Sequence, residues 1–438
     1  MKITKVIAGV AVTTAAITLL AACGTSAKNA TNSSKNSKQI TVWAWDDTYN
    51  VPAVKDAAKI YGGKNVKVIS MSQDDIVQKL NTAMASGNTK GLPNIVLIED
   101  YRIQGYLKSY QKDFEPLTTI VDKDNFASYK FAVNSVGKTI YGVPFDSGVT
   151  GNFYRTDVLK EAGYTADDIK NLNWDQFIQV AKDVKAKTGK ALIAANPSDL
   201  GFVRVIMQEA GTWYTEKDGK TVTIADNKPL AYAMNLYATL IKDGLAEKVS
   251  DWTSGQKAVQ NGSAVSAPTG SWYSSTIQAA KDQSGKWAIA PIPALPESLG
   301  GQSGKTYASN SGGAGWYVLK SGTSSQTDYA KKFLEKTFAS DSDLMGTLAT
   351  KIGLVSTMKS AVDTSVYQAP SSFYGGQKVM EDFSHWTQAI PQVNYGDQTY
   401  AIESTMTGAL QDMINGKDET TVLKNYQKQI ESQVATAK

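Results

Sequence analysis

From residue 40 onward, short strand-like runs alternate with amphipathic helical runs, and this alternation restricts the fold more than any other feature of the chain. Ile40, Val42 and Ala44 fall on one side and Thr41, Trp43 and Trp45 on the other, until Asp46-Asp47 ends the pattern. A helix is predicted next, with Pro52 near its first turn, where a missing N–H is tolerated. Residues 66–69 read as a second strand, and Ile76, Val77, Leu80, Ala83 and Met84 as the apolar face of a second helix. The apolar run 95–98 is a third strand, followed by Glu99-Asp100-Tyr101 and another helical stretch. Strands separated by helices are joined by crossovers and run parallel, which predicts an α/β sheet covered on both faces. In such sheets ligands lie beyond the carboxyl ends of the strands, so Asp46-Asp47 and Glu99-Asp100 would share one rim.

The later chain repeats this grammar with more helix. Asn173 is placed to cap a helix whose Gln176 reaches back, with Trp174, Phe177, Ile178, Ala181 and Val184 on one stripe. Further helices are predicted at 230–242, 326–338, 400–415 and 421–434, and short strands at 191–194, 264–267, 287–292 and 315–319. No internal repeat or heptad run is present. Breaks rich in Pro and Gly at 141–144 and 291–304 mark candidate crossings between lobes.

Composition removes several function classes. The 438 residues carry 45 Lys+Arg against 41 Asp+Glu, and Arg102, Arg155 and Arg204 are the only arginines, so nucleic acid is not an expected partner. A single histidine, His385, and a single cysteine, Cys23, cannot build the usual zinc sites or an internal disulfide, and neither a metal nor a cofactor is expected. Cys23 has a different reading. Lys2 and Lys5 precede an uncharged apolar run at 6–20, too short to span a membrane, and Leu20-Ala21-Ala22-Cys23 resembles a bacterial lipobox. The expectation is a signal peptide at 1–22 and a lipid on Cys23. Residues 23–38, rich in Ser, Asn, Thr and Lys, would then be a flexible tether holding the folded body on the extracytoplasmic face of the cell membrane.

Several motifs fail on spacing. Residues 300–306 look like a phosphate loop but have Leu299 where the first glycine belongs. Asp122-Lys123-Asp124-Asn125 begins like a calcium loop but has Ala127 and Val133 at the glycine and glutamate positions. No Gly-x-Ser-x-Gly elbow exists to serve His385. A secreted glycoside hydrolase stays open, because paired carboxylates are all its chemistry needs and Asp46, Asp47, Glu99, Asp100, Asp146 and Glu403 are candidates. A peptide-binding or adhesin lipoprotein is a third reading.

Six strings, in order along the mature chain, resemble the bacterial extracellular solute-binding proteins (family 1) of ABC sugar importers, the maltose-binding-protein-like group, and within it the lactose/arabinose-type branch. They are Ile40-Thr-Val-Trp-Ala-Trp-Asp46, Leu92-Pro-Asn-Ile-Val-Leu-Ile-Glu-Asp100, Tyr141-Gly-Val-Pro-Phe-Asp-Ser147, Phe153-Tyr-Arg-Thr-Asp-Val-Leu159, Gly270-Ser-Trp272 and Ser311-Gly-Gly-Ala-Gly-Trp-Tyr-Val-Leu319. Asn94 departs from the pattern, where Asp is expected. The resemblance implies a two-lobed periplasmic-binding-protein-like (Venus flytrap) α/β fold with a hinge, each lobe a sheet flanked by helices. By analogy the chain crosses near 145–147, near Pro293 and near 362, giving an N-lobe of 39–145 plus 293–362 and a C-lobe of 146–292 plus 363–438. It further implies a monomeric, non-enzymatic protein that captures a sugar between its lobes and delivers it to the permease subunits of an ABC importer.

A pyranose presents apolar C–H faces and a rim of hydroxyls, so a fitting site supplies flat aromatic rings and carboxylates. Trp272 and Trp213, each following a glycine-containing loop, are the expected stacking platforms, with Trp45 and Tyr395 next. Trp43, Trp174 and Trp287 fit core stripes instead. Asp46, Asp47, Glu99, Asp100 and Asp146 are the expected hydroxyl acceptors, each of which could otherwise cap a helix. Gly313, in Ser311-Gly312-Gly313, would let the backbone approach the ligand.

Overall fold

A computed structural model describes residues 38–302, 305 and 308–436. The expected signal peptide, the lipidation site Cys23 and all of the tether but its last residue lie outside these residues, as does part of the 300–306 loop. No helix among the described residues is long and apolar enough to cross a membrane.

The first lobe is built on a five-stranded sheet in the spatial order Val66–Ser70, Ile40–Ala44, Ile95–Glu99, Ala314–Val318, Gly142–Pro144. The first three strands are parallel, with Ile40 opposite Val66 and Val42 opposite Ile95. Helices Asn50–Ile60 and Gln73–Ala85 supply the crossovers, and Asp100–Tyr110 follows the third strand directly. The Ser72 hydroxyl starts the second helix by accepting from the Asp75 N–H at 3.1 Å.

The parallel pattern ends there: Ala314–Val318 runs antiparallel to both neighbours. It arrives from a distant part of the chain without a helical crossover, so nothing fixes its direction to match. Sitting between two strands and under helices on both faces, it is buried throughout. Gly142 permits this packing, because a Cβ there would lie 2.5 Å from the Tyr317 ring.

In the second lobe, Thr150–Arg155 is the central strand, antiparallel to both Ser266–Gly270 and Trp287–Ala290. Ile193–Ala195 pairs in parallel with Ala246–Lys248. The predicted helices appear as Trp174–Thr188, Lys228–Lys242, Thr399–Ile414 and Glu419–Thr436. The Asn173 cap forms as a reciprocal pair: its Oδ1 accepts from the Gln176 N–H at 2.8 Å, and the Gln176 Oε1 accepts from the Asn173 N–H at 2.9 Å. Trp43, Trp174 and Trp287 are buried in the core. Across both lobes nine α-helices among the described residues have no counterpart in the sequence reading: Gly201–Glu209, Trp252–Gln260, Ser342–Ile352 and Val379–Gln388, and the shorter pieces Phe131–Asn134, Thr156–Glu161, Ala166–Lys170, Ser274–Gln278 and Lys359–Val362. Each is short, so its apolar stripe covers too few turns to stand out in sequence.

Two segments that connect the lobes lie side by side, and the stretch at Val355 packs against the first of them. The Ser147 N–H donates to the Val355 carbonyl at 2.8 Å, the Ser311 N–H to the Gly148 carbonyl at 2.7 Å, and the Thr150 N–H to the Ser309 carbonyl at 2.9 Å. The return crossing therefore lies at 309–314, not near Pro293 as expected. Ala294 still belongs to the second lobe, where its N–H donates to the Leu172 carbonyl and its own carbonyl accepts from the Trp174 N–H.

Candidate functional site

Between the lobes lies a cleft of ≈ 920 Å³, near the upper end of the range for small-molecule sites. The first lobe contributes the loops that leave its strands: Trp45 and Asp46 after Ile40–Ala44, and Glu99 at the end of Ile95–Glu99. The crossings contribute Asp146 and Gly313, and the second lobe contributes Trp252 and Trp272.

Asp46 has φ 64°, the only non-glycine residue with positive φ among the described residues. Its turn is held locally. The carboxylate Oδ1 accepts from the Thr48 N–H at 2.8 Å and from the Thr48 hydroxyl at 2.6 Å, and the carbonyl accepts from the Val51 N–H at 3.1 Å. Left-handed backbone costs a non-glycine residue about 1–2 kcal/mol, and a cleft mouth is a common place for such strain. Glu99 faces the same space, its Oε2 accepting from the Tyr400 hydroxyl at 2.6 Å with the Arg102 Nε 3.3 Å away. Burial raises its pKa, opposed by those two partners. Burial also raises the pKa of Asp146, opposed by Lys130 and by the Ala314 N–H, which donates to Asp146 Oδ1 at 2.8 Å. The Trp272 indole is half-buried and oriented by its Nε1, which donates to the Ser311 carbonyl at 2.8 Å.

Five of the expected residues thus share the cleft with Trp272: Trp45, Asp46, Glu99, Asp146 and Gly313. Asp47 is exposed and stays outside the cleft lining. Three others are corrected by burial. Asp100 is 0% exposed, so a ligand cannot reach it, and both its oxygens accept from the Lys130 Nζ, at 2.8 and 2.6 Å. Trp213 is 1% exposed: its Nε1 donates to Thr399 Oγ1 at 2.9 Å and its ring stacks on Tyr101 at 5.4 Å. Tyr395 is 2% exposed, and its hydroxyl donates to Gln208 Oε1 at 2.8 Å. A glycine loop before a tryptophan says nothing about which distant helix will later cover the ring.

Gly313, with φ 89°, serves close packing as well as the cleft, since a Cβ there would lie 2.8 Å from Asp100 Oδ2. Of the carboxylates considered for hydrolysis, Glu403 is also neutralised, bound by Arg204 Nη1 at 2.6 Å and by the Tyr214 hydroxyl at 2.9 Å. Lys130 and Trp252 are the important residues that sequence reasoning missed. The available signal for Trp252 was its place directly after Asp251, a helix-capping residue, since a side chain at a helix start is free to project outward. What remains in the cleft is flat aromatic surface beside carboxylate acceptors, a chemistry suited to a neutral polyol.

Two sheet-and-helix lobes joined by three crossings, with such a cleft between them, define a two-lobed solute-binding fold. Among solved structures, the ABC-transporter-associated binding protein from B. animalis subsp. lactis Bl-04, in complex with beta-1,6-galactobiose, superposes with a TM-score of 0.71 at 22% identity, covering 92% of this chain and 98% of that one. The sugar-binding protein MalE from the phytopathogen Xanthomonas citri gives a TM-score of 0.73 at 19% identity, covering 91% and 98%. Residues 52–375 match the family described as bacterial extracellular solute-binding protein, and the chain belongs to that family. It is 38% identical to the lactose-binding protein of Rhizobium radiobacter over 400 residues, 90% of this chain and 93% of that one. It is 27% identical to the arabinooligosaccharide-binding protein of Bacillus subtilis (strain 168) over 308 residues, 68% of each.

Proposed function

We propose that this protein captures a galactose-containing sugar of the lactose type in the cleft and hands it to the permease of an ABC importer. The observation that carries this reading is the cleft wall, where Trp45 and Trp272 stand with Asp46, Glu99 and Asp146. The 38% identity to a lactose-binding protein over 90% of the chain supports the galactoside. Open and closed lobe arrangements exchange about the crossings at 146–150 and 309–314 and the passage from Tyr367 to Phe373, and the sugar favours the closed one because only there does it touch both lobes. Capture without hydrolysis is the reading favoured by binding-protein relatives and by the engagement of Asp100 and Glu403 with Lys130 and Arg204. Lipid on Cys23 keeps the monomer at the outer face of the membrane.

Titration calorimetry of the mature protein with lactose, beta-1,6-galactobiose, an arabinotriose and maltotriose tests this. A galactoside is expected to bind tightest and to be recovered intact. Trp272→Ala is expected to weaken that binding by about 2 kcal/mol, roughly 30-fold, while the protein stays folded. Absence of binding by every sugar, or release of monosaccharide, would overturn the proposal.

A further inference from the structure

Trp252 is 53% exposed, while the other tryptophans among the described residues are buried or half-buried. An indole left half in water is placed there by the backbone, and this one is held firmly. It opens the helix Trp252–Gln260, whose start is closed by a reciprocal cap: Asp251 Oδ1 accepts from the Ser254 N–H at 2.8 Å, and the Ser254 hydroxyl oxygen accepts from the Asp251 N–H at 3.1 Å. One turn on, Gln256 also lines the cleft, its Nε2 donating to Thr276 Oγ1 at 2.9 Å.

The ring of Trp252 lies 5.5 Å from that of Trp272 at an interplanar angle of 47°, and 5.6 Å from that of Tyr273 at 73°. The two indoles form an open V, not a single flat wall. Both line the 920 Å³ cleft, and both also line a neighbouring cavity of ≈ 350 Å³ that reaches Asn196, Asp199 and Pro268. Two aromatic planes inclined at this angle cannot lie flat on the two faces of one pyranose, which are parallel. They suit two successive rings of a bent chain, the inner against Trp272 and the outer against Trp252.

We propose that Trp252 is the specificity-determining platform for a sugar ring beyond a disaccharide, so that the preferred ligand class is a galactoside of three or more units. This rests on the sugar-binding reading of the cleft and extends it to ligand length. The outer ring gains an aromatic face on Trp252 without displacing any partner of that side chain.

The test is titration calorimetry of the wild-type mature protein, Trp252→Ala and Trp252→Phe with lactose and with a galactosyl-lactose trisaccharide. The wild type is expected to bind the trisaccharide about tenfold tighter than lactose. Trp252→Ala should remove that difference and leave lactose affinity within about twofold, and Trp252→Phe should keep most of it. Tight lactose binding with no trisaccharide preference in the wild type, or an equal loss for both sugars in Trp252→Ala, overturns the platform alone. Failure of both sugars to bind the wild type overturns the cleft reading and the platform with it.

Discussion

Lys130→Met is expected to lower the unfolding free energy by about 3–5 kcal/mol, the range for removing one partner of a buried ion pair. Lys130 and Asp100 are both 0% exposed and joined through both carboxylate oxygens. The same ammonium donates to the Ala314 carbonyl at 3.0 Å and the Asp146 carbonyl at 3.3 Å, so it ties two crossings to the first sheet. Methionine keeps the length of the side chain but leaves the buried carboxylate and the Asp146 carbonyl without this donor, while the Ala314 carbonyl keeps the Phe145 N–H at 3.1 Å. Replacing both partners, Asp100→Leu with Lys130→Met, should recover most of the loss, because the desolvation penalty of the pair then disappears. Chemical denaturation reads both, and a loss below about 1 kcal/mol in the single variant would show that the pair is not a fixed point of the crossings.

The same pair sets a pH dependence. Burial pushes the Asp100 carboxyl from its ordinary 3.8 up to about 6, against the opposing pull of Lys130 and with the Asp146 charge adding to the rise. The folded state then holds that proton more tightly than the unfolded one. Its contribution to stability is fully present below about pH 3.8 and is lost as pH rises through about 6, by up to roughly 3 kcal/mol. Glu99, Asp146 and Glu403 are raised by burial in the same sense, so the wild-type slope has several sources. Asp100→Asn should flatten that slope between pH 4 and 6.5 without abolishing it. An unchanged slope would remove Asp100 as one of its sources.

Gly148→Ala is expected to have the second large effect. A Cβ at this position would lie 2.3 Å from the Ser311 carbonyl oxygen and 2.9 Å from the Gly312 carbonyl carbon, and backbone cannot rotate away as a side chain can. The crossings would have to part, weakening the bond from the Ser311 N–H to the Gly148 carbonyl. The Ser311 carbonyl is also the acceptor that orients Trp272, so the change reaches the cleft. A stability loss of about 3 kcal/mol and at least a tenfold loss of sugar affinity are expected. Gly255→Ala is the control: it lies inside a helix, its nearest neighbour would be Val249 at 3.7 Å, and it should be neutral or stabilising by up to about 1 kcal/mol. Similar thermal unfolding of the two variants would contradict the role given to Gly148.

Where a property depended on neighbours in sequence, it was legible. The Asn173 cap, the three leading strands and the rim position of Asp46 and Glu99 all follow from periodicities and capping rules that act within a few residues. The antiparallel run of Ala314–Val318 was not legible, because nothing local specifies the direction in which a returning strand enters a sheet. The position of the return crossing was misplaced for the same reason: Pro293 sits in a Pro/Gly-rich break, yet Ala294 is fixed by Leu172 and Trp174, more than a hundred residues earlier.

The site divides along the same line. Sequence by itself determined the residue types, aromatic rings and carboxylates at loop positions with almost no His, Cys or Arg chemistry, and its resemblance to the binding proteins of sugar importers implied the ligand class. Only the tertiary structure decided which of those residues line the cleft. Asp100 and Glu99 are adjacent in the chain, but one is closed off by Lys130 and the other opens to the cleft. Trp213 and Trp252 both follow local signals for an outward ring, but Tyr101 and Thr399 cover the first and leave the second free. Burial is set by which distant surfaces come to rest on a side chain, and short-range periodicity carries no record of them.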